Sequence, residues 1–341
     1  MIDSQPDHSN TLDRRMAEVR QCLDSVKLPH SRQSLTEAAL IRNIKVIQDD
    51  VYVRLFHGSD QLELVDAAKH ALSSLTWCHR IVVDPRTIPG VKRTIAIGSG
   101  KGGVGKTTVT VGLANSLKTS GYKVGILDAD VYGPNVSTVL GADSIEVETT
   151  EIDEYVRFMP PTIDDLKVMS VGMLAGTNQS LAWRGPILTR LLKQFLFDVE
   201  WGDLDFLLID LPPGTGDAQI TILQECPLAA VILVGIPGRS SQADLARTIA
   251  MYRQFNLSVL GYVENFSSVE CPHCGQKFQI LLDYNSDGML TDDAENLEVL
   301  VHIPIQPEIL SHNSGRTISH LNNICPDHFS KLVNKCEQLI C

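Results

Sequence analysis

From Thr94 to Leu117 the chain reads T-I-A-I-G-S-G-K-G-G-V-G-K-T-T-V-T-V-G-L-A-N-S-L, and no other stretch constrains its fold as strongly. An apolar, β-branched run enters a glycine-rich loop and leaves it into a stretch with helical character. Strand, glycine loop, helix is the setting in which G-x-x-x-x-G-K-[ST] grips phosphate. Gly100, Gly102, Gly103 and Gly105 let backbone N–H groups approach phosphate oxygens, and the helix N-terminus adds partial positive charge. Lys106 is expected on the β- and γ-phosphates and Thr107 on Mg2+. Lys101, Val104 and Thr108 complete the candidate nucleotide contacts.

A phosphate loop of this kind needs a sheet behind it. Past residue 92, strands are expected at 93–98, 123–128, 168–172, 205–210, 229–236, 258–264 and 299–304, with helical stretches between them. Near-continuous apolar strands alternating with helices predict an α/β fold with a mostly parallel sheet, covered on both faces by helices. Ligands of such sheets sit beyond the carboxyl ends of the strands. Two of those ends carry acids: Asp128 and Asp130 in G-I-L-D-A-D-V-Y-G-P-N, and Asp210 in D-F-L-L-I-D-L-P-P-G-T-G-D. An aspartate that ends an apolar strand suits Mg2+, held directly or through water. The competing reading is a helix N-cap, which fits Asp210 less well than the other two. Gly214 and Gly216 give the following segment freedom to move when a γ-phosphate is lost.

Upstream the rhythm differs. Leu12, Met16, Val19, Leu23 and Val26 recur at helical spacing, 43–56 reads as a hairpin, 60–75 as a helix and 79–83 as a strand. The expected organisation is a disordered tail at 1–10, a small α+β domain at 11–85, a linker at 86–92 and the nucleotide domain at 93–341. A length of 341 residues agrees with about two domains. Residues 276–296 are polar and are expected to form a mobile insertion. A net charge of −12 repels phosphate backbones and anionic lipid, so neither nucleic acid nor membrane is an expected partner. No apolar run reaches the roughly 20 residues of a bilayer span, and the polar N-terminus lacks a secretory h-region. A cytoplasmic protein is expected.

Eight cysteines in a reducing compartment do not make a disulfide framework. Two of them, Cys271 and Cys274 in S-V-E-C-P-H-C-G-Q, form a knuckle whose glycine lets backbone N–H groups point at sulfur. The spacing serves zinc or an iron–sulfur cluster, either of which takes four thiolates. The second pair could come from Cys325, Cys336 or Cys341 of the same chain, or from the same knuckle of a second copy on a two-fold axis. Cys22 and Cys78 are expected as buried thiols, Cys226 as structural, and the C-terminal helix as a bearer of exposed cysteines. His273 is expected to be solvated, and Trp183 and Arg184 to line a subunit interface or pack their loop.

The K-G-G-x-G-K-T pattern resembles the MinD, ParA, nitrogenase iron protein and arsenical-pump ATPases. The ordered series S-G-K-G-G-V-G-K-T, D-A-D-V-Y-G-P-N, W-R-G-P, L-I-D-L-P-P-G-T-G-D, G-Y-V-E-N-F-S and C-P-H-C-G resembles, more closely, the Mrp/ApbC group of iron–sulfur cluster carriers. That resemblance spans roughly residues 90–341, with 12–90 similar to a diverged accessory domain. It implies an ATP-hydrolysing homodimer in which Lys101 reaches the partner's nucleotide, Asp130 orients the attacking water and Asp210 serves Mg2+. It places Asn265 at the adenine, and Cys271 and Cys274 of two copies around one [4Fe–4S] cluster. Cluster donors and apo iron–sulfur proteins are then the expected partners. The alternative is a MinD/ParA-like regulator whose knuckle is a zinc staple.

Overall fold

The computed structural model describes residues 8–29, 33–152, 155–174, 185–271, 273–278, 297–305 and 326–340. Two compact units divide the chain, Met1–Thr87 and Ile88–Ile340.

The first unit contains helix α1 (His8–Asp24), strands β1 (Ile41–Ile47) and β2 (Asp50–Phe56), helix α2 (Glu63–Leu72) and strand β3 (Arg80–Arg86). β1 and β2 form an antiparallel hairpin whose turn holds Gln48 at φ 55°; α2 then carries the chain across to β3, parallel to β2. Alternation in β2 sends Val51, Val53 and Leu55 into one core with Leu64, Ala68 and Leu72 of α2 and Val19 and Leu23 of α1. Helix α1 starts at His8, inside the stretch expected as a tail. β3 runs to Arg86, and its Pro85 sits opposite Leu55. Proline is tolerated there because β3 is an edge strand and needs no second ladder. The expected linker is therefore short, since the next strand begins at Val91. Cys22 and Cys78 are half-buried at the margin of this core, not inside it.

In the second unit the elements are β4 (Val91–Ser99), α3 (Lys106–Thr119), β5 (Val124–Asp128), α4 (Val136–Leu140), β6 (Glu148–Ile152), β7 (Tyr155–Met159), β8 (Thr162–Ile163), β9 (Leu166–Ser170) and α5 (Val171–Leu174). They continue as α6 (Gly185–Phe197), β10 (Leu204–Asp210), α7 (Asp217–Glu225), β11 (Leu228–Gly235), α8 (Arg239–Gln254), β12 (Val259–Glu270), β13 (Lys277–Phe278), β14 (Val299–Ile305) and α9 (Pro326–Glu337). The seven strands expected from the sequence pair in parallel, in the order β14-β12-β11-β4-β10-β5-β9. β8 and β13 add short antiparallel edges, and β6 and β7 form a separate hairpin.

Burial explains why that sheet was readable. Apolar side chains on both faces of β4, β5, β10 and β11 feed two cores. One core receives Leu188, Leu192 and Phe195 of α6, Ile222 of α7 and Tyr252 of α8. The other receives Val109 and Leu113 of α3, and Phe329, Leu332 and Cys336 of α9. Among the described residues no helix is long and apolar enough to cross a membrane. The insertion expected at 276–296 lies outside the described residues from 279 onward; Lys277 and Phe278 are strand.

Candidate functional site: a phosphate loop and a cysteine hairpin

Parallel pairing sets the strand ends level. Asp210 stands in register with Ile97 of β4 on one side and with Asp128 of β5 on the other. The loop that leaves β4 therefore opens beside both carboxylate-bearing strand ends. Gly103 and Gly105 take φ of 76° and 83°, the left-handed region that favours glycine. Gly105 is doubly required, because a Cβ there would lie 2.2 Å from Asn265 Nδ2. Lys106 opens α3, so its N–H and those after it face the loop.

Three donors converge on the fully buried Asp210. Lys106 Nζ donates to Oδ1 at 2.7 Å, and Thr107 Oγ1 donates to Oδ2 at 2.6 Å. Thr110 Oγ1 lies 3.0 Å from both Asp210 Oδ1 and the Lys106 carbonyl, one proton shared between two acceptors. Thr110 was not singled out from the sequence, although a hydroxyl one turn past Lys106 on the buried side of an apolar helix was the available signal. Lys106 also lies 3.9 Å from Asp130. Burial raises the Asp130 carboxyl above its ordinary range, with Lys106 opposing, and its Oδ1 is buried without a partner among the described residues. A carboxylate of raised basicity with a free oxygen beside the phosphate loop suits the orientation of a water molecule.

Asp128 does a different job. Its oxygens accept from the backbone N–H of Asp130 and Val136 and from Ser170 Oγ, at 3.0–3.1 Å. Burial, then the neighbouring Asp210, pushes it up to about 7. It shapes the turn that presents Asp130. Lys101 is half-buried and makes no ion pair with a described residue. Thr107 and Asp210 together form a donor set that fits Mg2+, which takes a hydroxyl, one or two carboxylates and phosphate oxygens. Asn265, buried midway along β12, donates from Nδ2 to the Val104 carbonyl at 2.9 Å, so the structure ties it to the phosphate loop itself.

The same strand leads to the cysteines. β12 ends at Glu270, and β13 returns antiparallel with Glu270 opposite Lys277 and Val269 opposite Phe278. Cys271 N donates to the Gln276 carbonyl at 3.0 Å, and Gly275 N to the Cys271 carbonyl at 2.9 Å. Gly275, at φ 70°, closes the turn. The Cys271 thiol is held below its ordinary value, first by the His273 N–H, then by the Cys274 N–H and thiol. Cys274 is exposed. Among the described residues no group of three or more His, Cys, Asp or Glu forms a metal site, so the hairpin offers two ligands.

Cys336 can be struck from the candidates for the other pair. It is fully buried against α3, and desolvation pushes its thiol up to about 12. This also corrects the expectation of exposed cysteines on the C-terminal helix: α9 turns Cys336 inward with Leu332 and Phe329. Cys325, Cys341, Trp183 and Arg184 lie outside the described residues. Cys226, expected as structural, is fully buried in the core. At pH 7 we expect iodoacetamide to modify Cys271 about tenfold or more faster than Cys226 or Cys336, because thiolate character and access both favour it. Peptide mapping over time checks the order; equal rates would contradict the hairpin geometry.

A phosphate loop, two carboxylate-bearing strand ends and a C-x-x-C hairpin on one parallel sheet invite comparison with known proteins. The family model of the NUBPL iron-transfer P-loop NTPases, within the ParA group, matches residues 90–337. The chain belongs to this family. An iron–sulfur cluster carrier protein of Aquifex aeolicus is 44% identical over 261 residues, 75% of this chain and 70% of its own. One from Pyrococcus horikoshii is 42% identical over 63% of this chain and 74% of its own. Among solved structures, a nucleotide-binding protein of Archaeoglobus fulgidus in complex with ADP superposes with a TM-score of 0.56. It is 34% identical, over 68% of this chain and 90% of its own. MinD of Pyrococcus horikoshii with Mg-ADP shares the fold, at a TM-score of 0.51 and 24% identity, over 73% of this chain and 97% of its own. The chain is thus an ATPase of the iron-transfer P-loop NTPases, with the α/β sheet and two-sided helical cover that its sequence predicts.

Proposed function

We propose that this ATPase binds a [4Fe–4S] cluster on Cys271 and Cys274 of two copies and hands it to apo-proteins. The observation that carries the reading is the C-x-x-C hairpin itself: one exposed and one half-buried thiol, the latter held below its ordinary pKa, just beyond the strand that also supports the phosphate loop. Two copies of a two-ligand hairpin on a two-fold axis supply four thiolates. The relatives in Aquifex aeolicus and Pyrococcus horikoshii, known as iron–sulfur cluster carrier proteins, point the same way.

In this reading the β- and γ-phosphates draw Lys106 from Asp210, while the backbone of residues 100–108 encloses them. Thr107 and Asp210 would hold Mg2+, whose chemistry there would be to neutralise phosphate charge. Asp130 orients the attacking water. Lys101, unpaired within the described chain, reaches the nucleotide of the second copy and acts there as an arginine finger does. Asn265 borders the loop on the base side. Each nucleotide state must favour a different arrangement of the two copies, since otherwise hydrolysis could not bias release.

Anaerobic reconstitution with iron and sulfide tests the proposal. We expect broad absorbance near ~400 nm, about four irons per two chains, and loss of that iron to an apo iron–sulfur acceptor. Stoichiometric zinc with no reconstitutable iron would make the hairpin a structural staple and return the chain to the MinD/ParA-like alternative.

A further inference from the structure

β12 bonds the phosphate loop through Asn265 and leads into the cysteine hairpin, and it is irregular between the two. After a first shift between Tyr262 and Val263, its pairing with β14 runs in step from Val263 opposite Val301 to Asn265 opposite Ile303, then resumes only at Val269 opposite Ile305. Four steps along β12 thus face two along β14, a bulge centred on residues 266–268. At its start Phe266 adopts φ 56°, a conformation that a bulky aromatic residue rarely takes. The surroundings hold it there. Asn265 is anchored to the Val104 carbonyl, and Phe266 Cζ lies 3.7 Å from where a Cβ on Gly105 would be. Gly105 itself is left-handed and caps α3. A left-handed glycine of the phosphate loop and a strained aromatic residue of the bulge therefore lie side by side, and Cys271 follows five residues after Phe266.

We propose that the Phe266 bulge is a mechanical link within one chain, through which occupancy of the phosphate loop alters the conformation of the Cys271–Cys274 hairpin. The physical basis is mutual restraint. The phosphate loop must hold its N–H groups toward phosphate when nucleotide binds, which fixes Val104 and Gly105. Their fixation fixes the Asn265 amide and the Phe266 ring. The bulge can then relax only toward its far end, where β12 pairs with β13 and the hairpin begins. Backbone strain held by packing is the usual store for such a switch. Coupling of this kind is reciprocal: what fills the hairpin must shift nucleotide affinity by the same factor. The proposal rests on the nucleotide reading of the loop and not on which metal, if any, the hairpin holds.

The test uses the free thiol as reporter. The alkylation rate of Cys271 in the full chain is measured by peptide mapping with saturating Mg-ADP and without nucleotide. Measurement at two protein concentrations separates an effect of subunit association, which depends on concentration, from one within the chain. We expect nucleotide to change the rate about fivefold or more in the wild type, the lower end of common coupling factors. In Phe266→Gly, which keeps the backbone at ease and removes the ring, the ratio should fall to near one. Phe266→Asn, another residue tolerant of positive φ, should behave alike. Saturation with ADP prevents a change in affinity from imitating a loss of coupling, and continued protection of Cys336 shows that the chain stays folded. A wild-type ratio near one overturns the link. So does a full nucleotide response in both variants. Failure to reconstitute iron leaves these ratios untouched and removes only the cluster reading.

Discussion

Lys106→Ala is expected to abolish turnover and also to destabilise the nucleotide-free protein, whereas Lys101→Ala is expected to do only the first. The two lysines share one loop but stand in different surroundings. Lys106 is buried, with its ammonium 2.7 Å from the fully buried Asp210. Truncation leaves that carboxylate with two hydroxyls and no counter-charge, and breaking a buried pair from one side costs about 3–5 kcal/mol. Lys101 is half-buried and pairs with no described residue, so its removal should cost within about 0.5 kcal/mol. Both should slow hydrolysis by about 10²-fold or more, as loss of a charge aimed at a developing oxyanion does. Urea unfolding of the nucleotide-free chains beside a phosphate-release assay separates the cases. The double variant Lys106→Ala, Asp210→Asn should be less destabilised than the sum of its parts, because the orphaned charge goes with the lysine. Equal destabilisation by Lys101→Ala would mean that Lys101 is a structural residue and not one reserved for the second copy.

What the sequence disclosed follows a physical division. The central strands β4, β5, β10 and β11 were legible because each is buried on both faces and must be nearly continuous in apolar residues, and β9, β12 and β14 because apolar residues still dominate the parts of them that meet the core. The phosphate loop was legible because its glycines meet a backbone requirement that no other residue meets. The β6–β7 hairpin was not, since E-T-T-E-I and Y-V-R-F-M carry no apolar run of that kind. β3 was foreseen too short because Pro85 reads as a strand end, a rule that lapses on an edge. Within the site, Lys106, Thr107 and Asp210 converge as a motif reading expects. The motif is silent on Thr110 and on Asp128, whose parts depend on which way a helix face and a turn point. Asn265 shows the same gap: its position was marked by resemblance, but its bond to Val104 is visible only in three dimensions. The bulge at Phe266 left no mark, because F-S-S carries neither the glycine nor the asparagine that usually signals positive φ.

Replacing both Cys271 and Cys274 by alanine is expected to reduce reconstituted iron from about four per two chains to background while leaving nucleotide binding in place. The separation follows from topology: the hairpin lies beyond the end of β12, whereas Lys106 and Thr107 open α3 and Asp210 ends β10. Iron loss alone, however, does not tell a bridging cluster from one completed within a single chain by Cys325 and Cys341. Mixing does. When wild-type chains are combined with an equal amount of the double variant and allowed to exchange before reconstitution, a cluster held in cis is indifferent to the added chains. Iron per wild-type chain then stays constant. A cluster shared across a two-fold axis needs two intact hairpins, and random pairing leaves about half of the wild-type chains with an intact partner. Iron per wild-type chain should fall to about half, and further as the variant is added in excess. Constant iron would place all four thiolates in one chain and bring Cys325 and Cys341 to Cys271 and Cys274, which the bridging reading forbids.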